Sequence, residues 1–207
     1  MNLPANSIGR RTLILAGLAA AAGSLVACDA GKGGKAAFRS IDITGAEYAR
    51  ELKLPDADGR PRSLDEFKGK VALVFFGYTQ CPDVCPTTLG EIATIRKSLG
   101  ADGQRVQPIF VTVDPERDTP EILKAYMASF GDDCIALRGN EEQIRAAAKH
   151  FKVFYSKVPG KTAESYTVDH TAGTYVFDTQ GRIRLFARHG TPADALGADI
   201  RALLGGA

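Results

Sequence analysis

From residue 48 onward the chain alternates apolar runs with stretches of helical periodicity, joined by brief connections. Residues 52–54 and 62–64 flank the turn Asp56-Ala57-Asp58-Gly59, which predicts an opening hairpin. Residues 71–76 are apolar without alternation, as a central strand covered on both faces requires. After Pro86, the residues Leu89, Ile92, Ala93, Ile95 and Leu99 keep helical spacing as far as Gly100. Residues 106–113 predict a second buried strand, whose first half Pro108 demotes because proline cannot donate to a ladder. Thr119-Pro120-Glu121 opens another helix with a cap residue and a proline at the first position.

Asn140 caps a third helix that runs through His150, and residues 153–155 are short and apolar. Residues 174–177 and 183–186 form a hairpin about the turn Asp178-Thr179-Gln180-Gly181. A last helix covers 193–204, and neither internal repeats nor long low-complexity segments interrupt the pattern. Strand–helix–strand, then helix, then hairpin and closing helix is an α/β chain in thioredoxin-like order.

The first residues read differently. Arg10-Arg11 precedes an apolar, alanine-rich stretch at 13–27 that ends in Leu25-Val26-Ala27-Cys28. A basic flank, about 15 apolar residues and small residues at the cut point mark an export signal. The stretch is short for a full span. Leu-Val-Ala-Cys resembles a lipobox, so residues 1–27 are expected to be a lipoprotein signal peptide cleaved before Cys28, whose thiol takes the lipid. An uncleaved anchor is the alternative. Residues 28–45, rich in Gly, Lys and Ala, read as a flexible tether and 46–207 as the folded domain. Asp29 resembles an inner-membrane retention signal, placing the domain on the periplasmic face of the inner membrane. Losing Arg10 and Arg11 with the leader leaves 24 basic residues against 24 acidic ones, which argues against nucleic acid as a partner.

With Cys28 assigned to lipid, Cys81, Cys85 and Cys134 remain. Three cannot pair completely, so the chain is no disulfide scaffold, and one close pair in an exported chain suggests a working dithiol. Cys134 lies in the apolar segment 133–137 and reads as a small hydrophobe. Cys81-Pro82-Asp83-Val84-Cys85 stands at a strand-to-helix corner, with three residues between the thiols. The start of the helix favours the Cys81 thiolate, and Cys85 is expected one turn further on the same face. Such a pair closes a disulfide only if the backbone bends, yet converges readily on a soft ion: Cu(I), zinc or an iron–sulfur centre. Two sulfurs leave a metal short of ligands. Of the three histidines, His150 ends a helix and His189 reads as an exposed loop residue. His170 precedes the second hairpin, in the connection that passes over the dithiol in a thioredoxin-like fold.

Residues 77–89 (Gly-Tyr-Thr-Gln-Cys-Pro-Asp-Val-Cys-Pro-Thr-Thr-Leu) resemble the Sco-type copper chaperones of cytochrome c oxidase assembly almost residue for residue. So do residues 113–120 and Val168-Asp169-His170-Thr171. The resemblance implies a thioredoxin-like fold with an inserted hairpin besides the N-terminal one, and copper, as Cu(I) or Cu(II), held by Cys81, Cys85 and His170. It places Asp114 near the site; Asp114 also suits a turn ahead of Pro115, and Asp169 either orients His170 or bonds within its loop.

The function so implied is a lipid-anchored chaperone, not a turnover enzyme. It would take copper from an upstream periplasmic donor and pass it to the binuclear copper centre of cytochrome c oxidase subunit II. A thiol reductant is needed, because Cys81 and Cys85 bind copper only when their redox-active disulfide is open. The alternative is a thiol–disulfide oxidoreductase that reduces the cysteines of that acceptor. Copper sensing would use the same site.

Overall fold

A computed structural model of the protein describes residues 37–162 and 165–207. The expected signal peptide and Cys28 lie outside the described residues. In chain order the first elements are β1 (Ile41–Asp42), β2 (Lys53–Pro55), β3 (Pro61–Ser63), β4 (Val71–Gly77) and α1 (Val84–Ser98). Then come β5 (Val106–Thr112), α2 (Pro120–Ala128), β6 (Ile135–Leu137) and α3 (Glu141–Phe151). The chain closes with β7 (Tyr155–Pro159), β8 (Tyr166–His170), β9 (Gly173–Phe177), β10 (Ile183–Arg188) and α4 (Ala193–Leu204).

Six strands form one sheet in the order β1-β10-β9-β4-β5-β6. β4, β5 and β6 run parallel, while β9 is antiparallel to β4 and β10 to β9. Every residue of β4 and β5 is buried, as strands with helices on both faces must be; the polar Gln107 and Thr112 of β5 are buried with hydrogen-bond partners. Ile92 and Ile95 of α1 and Leu196, Ile200 and Leu203 of α4 pack with Val71, Leu73 and Val176 on one side. Leu123, Met127, Ile144 and Phe151, from α2 and α3, belong to the larger cluster, where Phe151 meets Phe76 with ring centroids 5.1 Å apart. The fold is the α/β, thioredoxin-like one, with β2–β3 as the N-terminal hairpin and β7–β8 as the inserted one.

Three local expectations differ from what is observed. Pro108 does not weaken β5, which pairs with β4 along its whole length. Pairing with β6 begins only at Ile109, and the Gln107 side chain donates to Pro108 O (3.2 Å) and to Asp133 O (2.7 Å). The missing N–H thus falls where no strand needed it. The end of the expected tether is also part of the domain: Ile41 pairs with Phe186, and Asp199 accepts from Arg39 N (2.9 Å) and Ser40 N (2.8 Å). Finally, Cys81 lies before the helix rather than on it, because α1 begins at Val84. A residue ahead of proline is steered away from helical backbone, and Pro82 so steers Cys81. Pro86, in the first turn, costs nothing, since that N–H has no partner in any helix.

Asp178 caps the β9–β10 turn and is 3% exposed. Burial works to raise its pKa, but hydrogen bonds from Arg182, Arg184 and the Gln180 N–H outweigh it and hold the carboxyl below its ordinary value. A depressed carboxylate contributes stability above its unfolded pKa, about 4, and loses it as pH falls through the folded value. Asp178→Asn is therefore expected to cost about 2 kcal/mol at neutral pH, with a shallower acid limb below about pH 4. Urea unfolding of both proteins at pH 7 and pH 3 measures this.

Candidate metal centre

The parallel strands β4 and β5 end side by side, at Gly77 and Thr112, the place where open α/β sheets bind ligands. Gly77 is a spatial necessity there: a Cβ on it would stand 2.6 Å from Cys85 Sγ and 2.9 Å from Phe110 Cε2. The corner that follows is bolted down by Asp118, which is wholly buried. Its carboxylate accepts from Thr79 N–H (3.1 Å), Thr79 Oγ1 (2.6 Å) and Thr112 Oγ1 (2.5 Å). Burial raises its pKa, and the two threonines only partly offset that.

Two thiols emerge from this corner. Cys81 is partly exposed and donates its backbone N–H to Tyr78 O. Cys85, in the first turn of α1, is wholly buried. Burial pushes the Cys85 thiol well above its ordinary pKa, the Tyr78 backbone N–H pulls the other way, and nearby Cys81 adds to the rise. Both are free thiols.

The inserted hairpin brings the third group. His170 is the last residue of β8, and its Nε2 lies 3.4 Å from Cys85 Sγ. Its Nδ1 faces Thr171 O at 3.2 Å; with the proton placed there, Nε2 presents its lone pair to the sulfurs. Burial lowers the His170 pKa, against the opposing pull of the Thr171 carbonyl and the Asp169 charge, which favours the neutral ring that ligates a metal. The rings of Phe75 (79°) and Tyr78 (90°) meet it edge-on, with centroids 5.9 and 6.0 Å away.

The ligand atoms of Cys81, Cys85 and His170 all lie within 4.8 Å of one another. Sulfur and nitrogen bound to one tetrahedral soft ion stand about 3.5 Å apart, so the Cys85–His170 spacing already matches. Two thiolates and an imidazole suit copper or zinc and disfavour hard cations. One side stays open to an incoming ligand, because Cys81 is accessible.

The remaining candidates fall outside that triad. Asp114 is buried and bonded to Arg117 Nε (2.5 Å) and Tyr166 OH (2.8 Å), not to a ligand. Asp169 is exposed, and no hydrogen bond links it to the His170 ring, which is oriented by the Thr171 carbonyl instead. His189 is exposed, with Nδ1 3.4 Å from Thr88 Oγ1. His150 accepts from the backbone N–H groups of Arg50 and Glu51, both at 3.1 Å. Cys134, half-buried, has a pKa pushed up to about 11 by burial, against the pull of Arg96. Reading the sequence assigned no separate role to Gly77, Thr171 or Arg117, although each lies inside a segment that carries the family resemblance, and Gly77 also closes an apolar strand.

Comparison with known proteins agrees in one direction. The SCO1/SenC family profile matches residues 42–205. The chain is 41% identical over 133 residues to an SCO2-like protein of Rickettsia felis, covering 64% of this chain and 65% of that protein. It is 33% identical over 153 residues to the mitochondrial SCO2 homolog of Mus musculus, covering 73% of this chain and 60% of that one. The match thus spans just under two thirds of these relatives' lengths. Among solved structures, copper-bound ScoI of Bradyrhizobium japonicum is 38% identical with a TM-score of 0.67, covering 74% of this chain and 97% of the other. Copper-bound yeast Sco1 is 28% identical with a TM-score of 0.68, covering 76% and 88%.

Proposed function

The chain belongs to the SCO1/SenC family, and from that premise we propose that it is a copper chaperone of cytochrome c oxidase assembly, loaded at Cys81, Cys85 and His170. The observation that carries this reading is the convergence of those three ligand atoms within 4.8 Å. Copper is the cargo. In the reduced protein it displaces the thiol protons, which is why a thiol reductant must act first. Cys85 and His170, both largely enclosed, are the retaining ligands. Cys81, partly exposed, is the sulfur that an acceptor ligand reaches first, so release proceeds by exchange at that position.

The acceptor in this reading is the binuclear copper centre of cytochrome c oxidase subunit II, supplied from an upstream periplasmic donor. Lipid on Cys28 would hold the domain at the periplasmic face of the inner membrane. One solved relative, from Bacillus anthracis, is itself described as an SCO1/SenC family lipoprotein, at 28% identity and a TM-score of 0.63. Among the described residues no helix is long and apolar enough to cross a membrane.

The test is copper binding to the reduced chain. Wild type is expected to take up one copper and, as Cu(II), to show a thiolate-to-copper absorption band. His170→Ala is expected to lower affinity by about two orders of magnitude and to shift or abolish the band. An unchanged band and affinity would overturn the assignment.

A second reading, reduction of the acceptor's cysteines, is favoured by the contrast between an accessible Cys81 and a buried Cys85. In it the Cys81 thiolate attacks the acceptor disulfide and Cys85 closes the Cys81–Cys85 bond, releasing two acceptor thiols. Fast exchange with an oxidised acceptor and no copper retention would favour that reading over transfer.

A further inference from the structure

His170 belongs to a hairpin that packs on the main sheet without being hydrogen-bonded into it. β7 and β8 pair only with each other and share no ladder with the six-stranded sheet. At the root of this hairpin the ties are internal: Thr171 N–H to Phe154 O and Phe154 N–H to Thr171 Oγ1, both 2.9 Å. Val168 seats the middle of β8 in the main core and its backbone bonds the Tyr78 phenol, while Lys157 of β7 pairs with Glu116 (2.6 Å). The polar tie that reaches both β8 and the cysteine corner sets the imidazole against the two sulfurs.

That tie comes from the loop after β5. Arg117 Nε donates to Asp114 Oδ2 (2.5 Å), and Tyr166 OH donates to the other oxygen of the same carboxylate (2.8 Å). Arg117 Nη1 donates to Tyr166 O (2.8 Å) and to Gln80 Oε1 (3.1 Å). Its guanidinium lies over the Tyr166 ring, 3.5 Å from the centroid, with the Tyr78 ring at 5.6 Å. Tyr166 begins the strand that ends at His170; Gln80 directly precedes Cys81. One side chain therefore grips both halves of the metal centre.

The base from which it reaches is itself fixed. Asp114 is wholly buried, with its N–H bonded to Thr112 Oγ1 at 3.0 Å. Arg138 donates to Pro115 O and Asp118 O, both at 2.9 Å. Among the described residues, the buried Arg117 Nη2 meets no acceptor. The guanidinium sits where the hairpin, the Gln80 corner and Asp114 meet.

We propose that Arg117, seated on Asp114, is the positioning residue that sets the β7–β8 hairpin, and hence His170, against Cys81 and Cys85. This rests on the three-ligand copper site proposed above. Partners that orient metal ligands from outside the coordination sphere typically carry about a ten- to hundredfold share of metal affinity. Arg117 does so through the length of β8 rather than by touching the imidazole.

The test is Cu(I) competition against a colorimetric chelator in the reduced full chain, for wild type, Arg117→Gln, Tyr166→Phe, His170→Ala and the Arg117→Gln/His170→Ala double variant. Arg117→Gln is expected to weaken binding about tenfold. In the His170→Ala background the same change should weaken it less than about twofold, because no imidazole remains to be positioned. Equal weakening in both backgrounds, or none in either, overturns the proposal. Tyr166→Phe removes only the phenol's bond to Asp114 and keeps the stacking, so it should shift affinity in the same direction even if Arg117→Gln folds poorly. A second arm needs no metal: amide exchange at residues 166–170 should speed up in Arg117→Gln and Tyr166→Phe, while residues 173–177 stay unchanged. Unaltered exchange at 166–170 also overturns it. If His170→Ala itself binds copper like wild type, the copper site is wrong, and the exchange arm alone still decides whether Arg117 holds the hairpin.

Discussion

Cys81→Ser is expected to fold as the wild type does and to lose copper affinity by about two to three orders of magnitude. A structural zinc site gains about 10–16 kcal/mol from four ligands, or about 2.5–4 kcal/mol each, which converts to that factor. The fold is spared because Cys81 is partly exposed and its one backbone bond, N–H to Tyr78 O, does not involve the side chain. Cys85→Ser should lose copper by a similar factor and stability as well. Its sulfur is wholly enclosed beside Gly77, with the Tyr78 N–H pointing at it. A smaller, more polar hydroxyl there leaves the space of the sulfur partly unfilled and must be desolvated, at a cost of about 1–3 kcal/mol. Cu(I) competition and urea unfolding on the same samples separate the two effects. Wild-type affinity in Cys81→Ser would remove Cys81 from the site.

That asymmetry between two cysteines four positions apart was not legible in the chain. The strands were, because β4 and the core of β5 are covered on both faces and so carry short apolar, β-branched and aromatic runs bounded by turn residues. The caps were too: Thr119 accepts from Ile122 N–H and Asn140 from Gln143 N–H, as their side chains and positions require. Cys81 was misplaced by a step, since helical periodicity hides where a Pro-x-x-x-Pro corner lets the helix begin. Pro108 misled because a proline's cost depends on which neighbour its missing N–H faces, and that is a property of the sheet.

The site divides the same way. Cys81, Cys85 and His170 could be singled out because thiols and imidazoles are scarce and the order of elements fixes which loops meet. The roles of the groups that arrange them were hidden for the opposite reason, although those residues lie in the segments that carry the resemblance. Thr171 orients His170 with a backbone carbonyl, which every residue has. Arg117 acts through a hairpin whose pairing with Gln80, Asp114 and Tyr166 spans distant parts of the chain. Asp114, placed near the site by resemblance, reaches it only through Arg117 and Tyr166; Asp169, the nearer acid in sequence, faces solvent.

Gly77→Ala should do the most damage for the smallest chemical change. The backbone at 77 is ordinary strand, so the alanine is tolerated locally; the conflict lies with its neighbours. The added carbon meets Cys85 Sγ at 2.6 Å, Phe110 Cε2 at 2.9 Å and Phe75 Cε1 at 3.0 Å. All three residues are wholly buried, and a close-packed core has no slack to receive them. Overpacking of this kind costs about 1–3 kcal/mol. The sulfur is the lightest of the three to move, and moving it breaks the 3.4 Å spacing to His170 Nε2. Phe75 also borders the His170 ring edge-on, so the displaced phenyl disturbs the imidazole from its other side. Copper affinity is therefore expected to fall by about two orders of magnitude, the share of one full ligand, although every ligand is still present. Gly90→Ala is the matched control: that glycine is inside α1 with nothing within 4 Å of an added Cβ. It should gain up to about 1 kcal/mol from helix propensity and bind copper as the wild type does. If Gly77→Ala kept wild-type affinity beside that control, the packing of Gly77 against Cys85 would not be what places the sulfur.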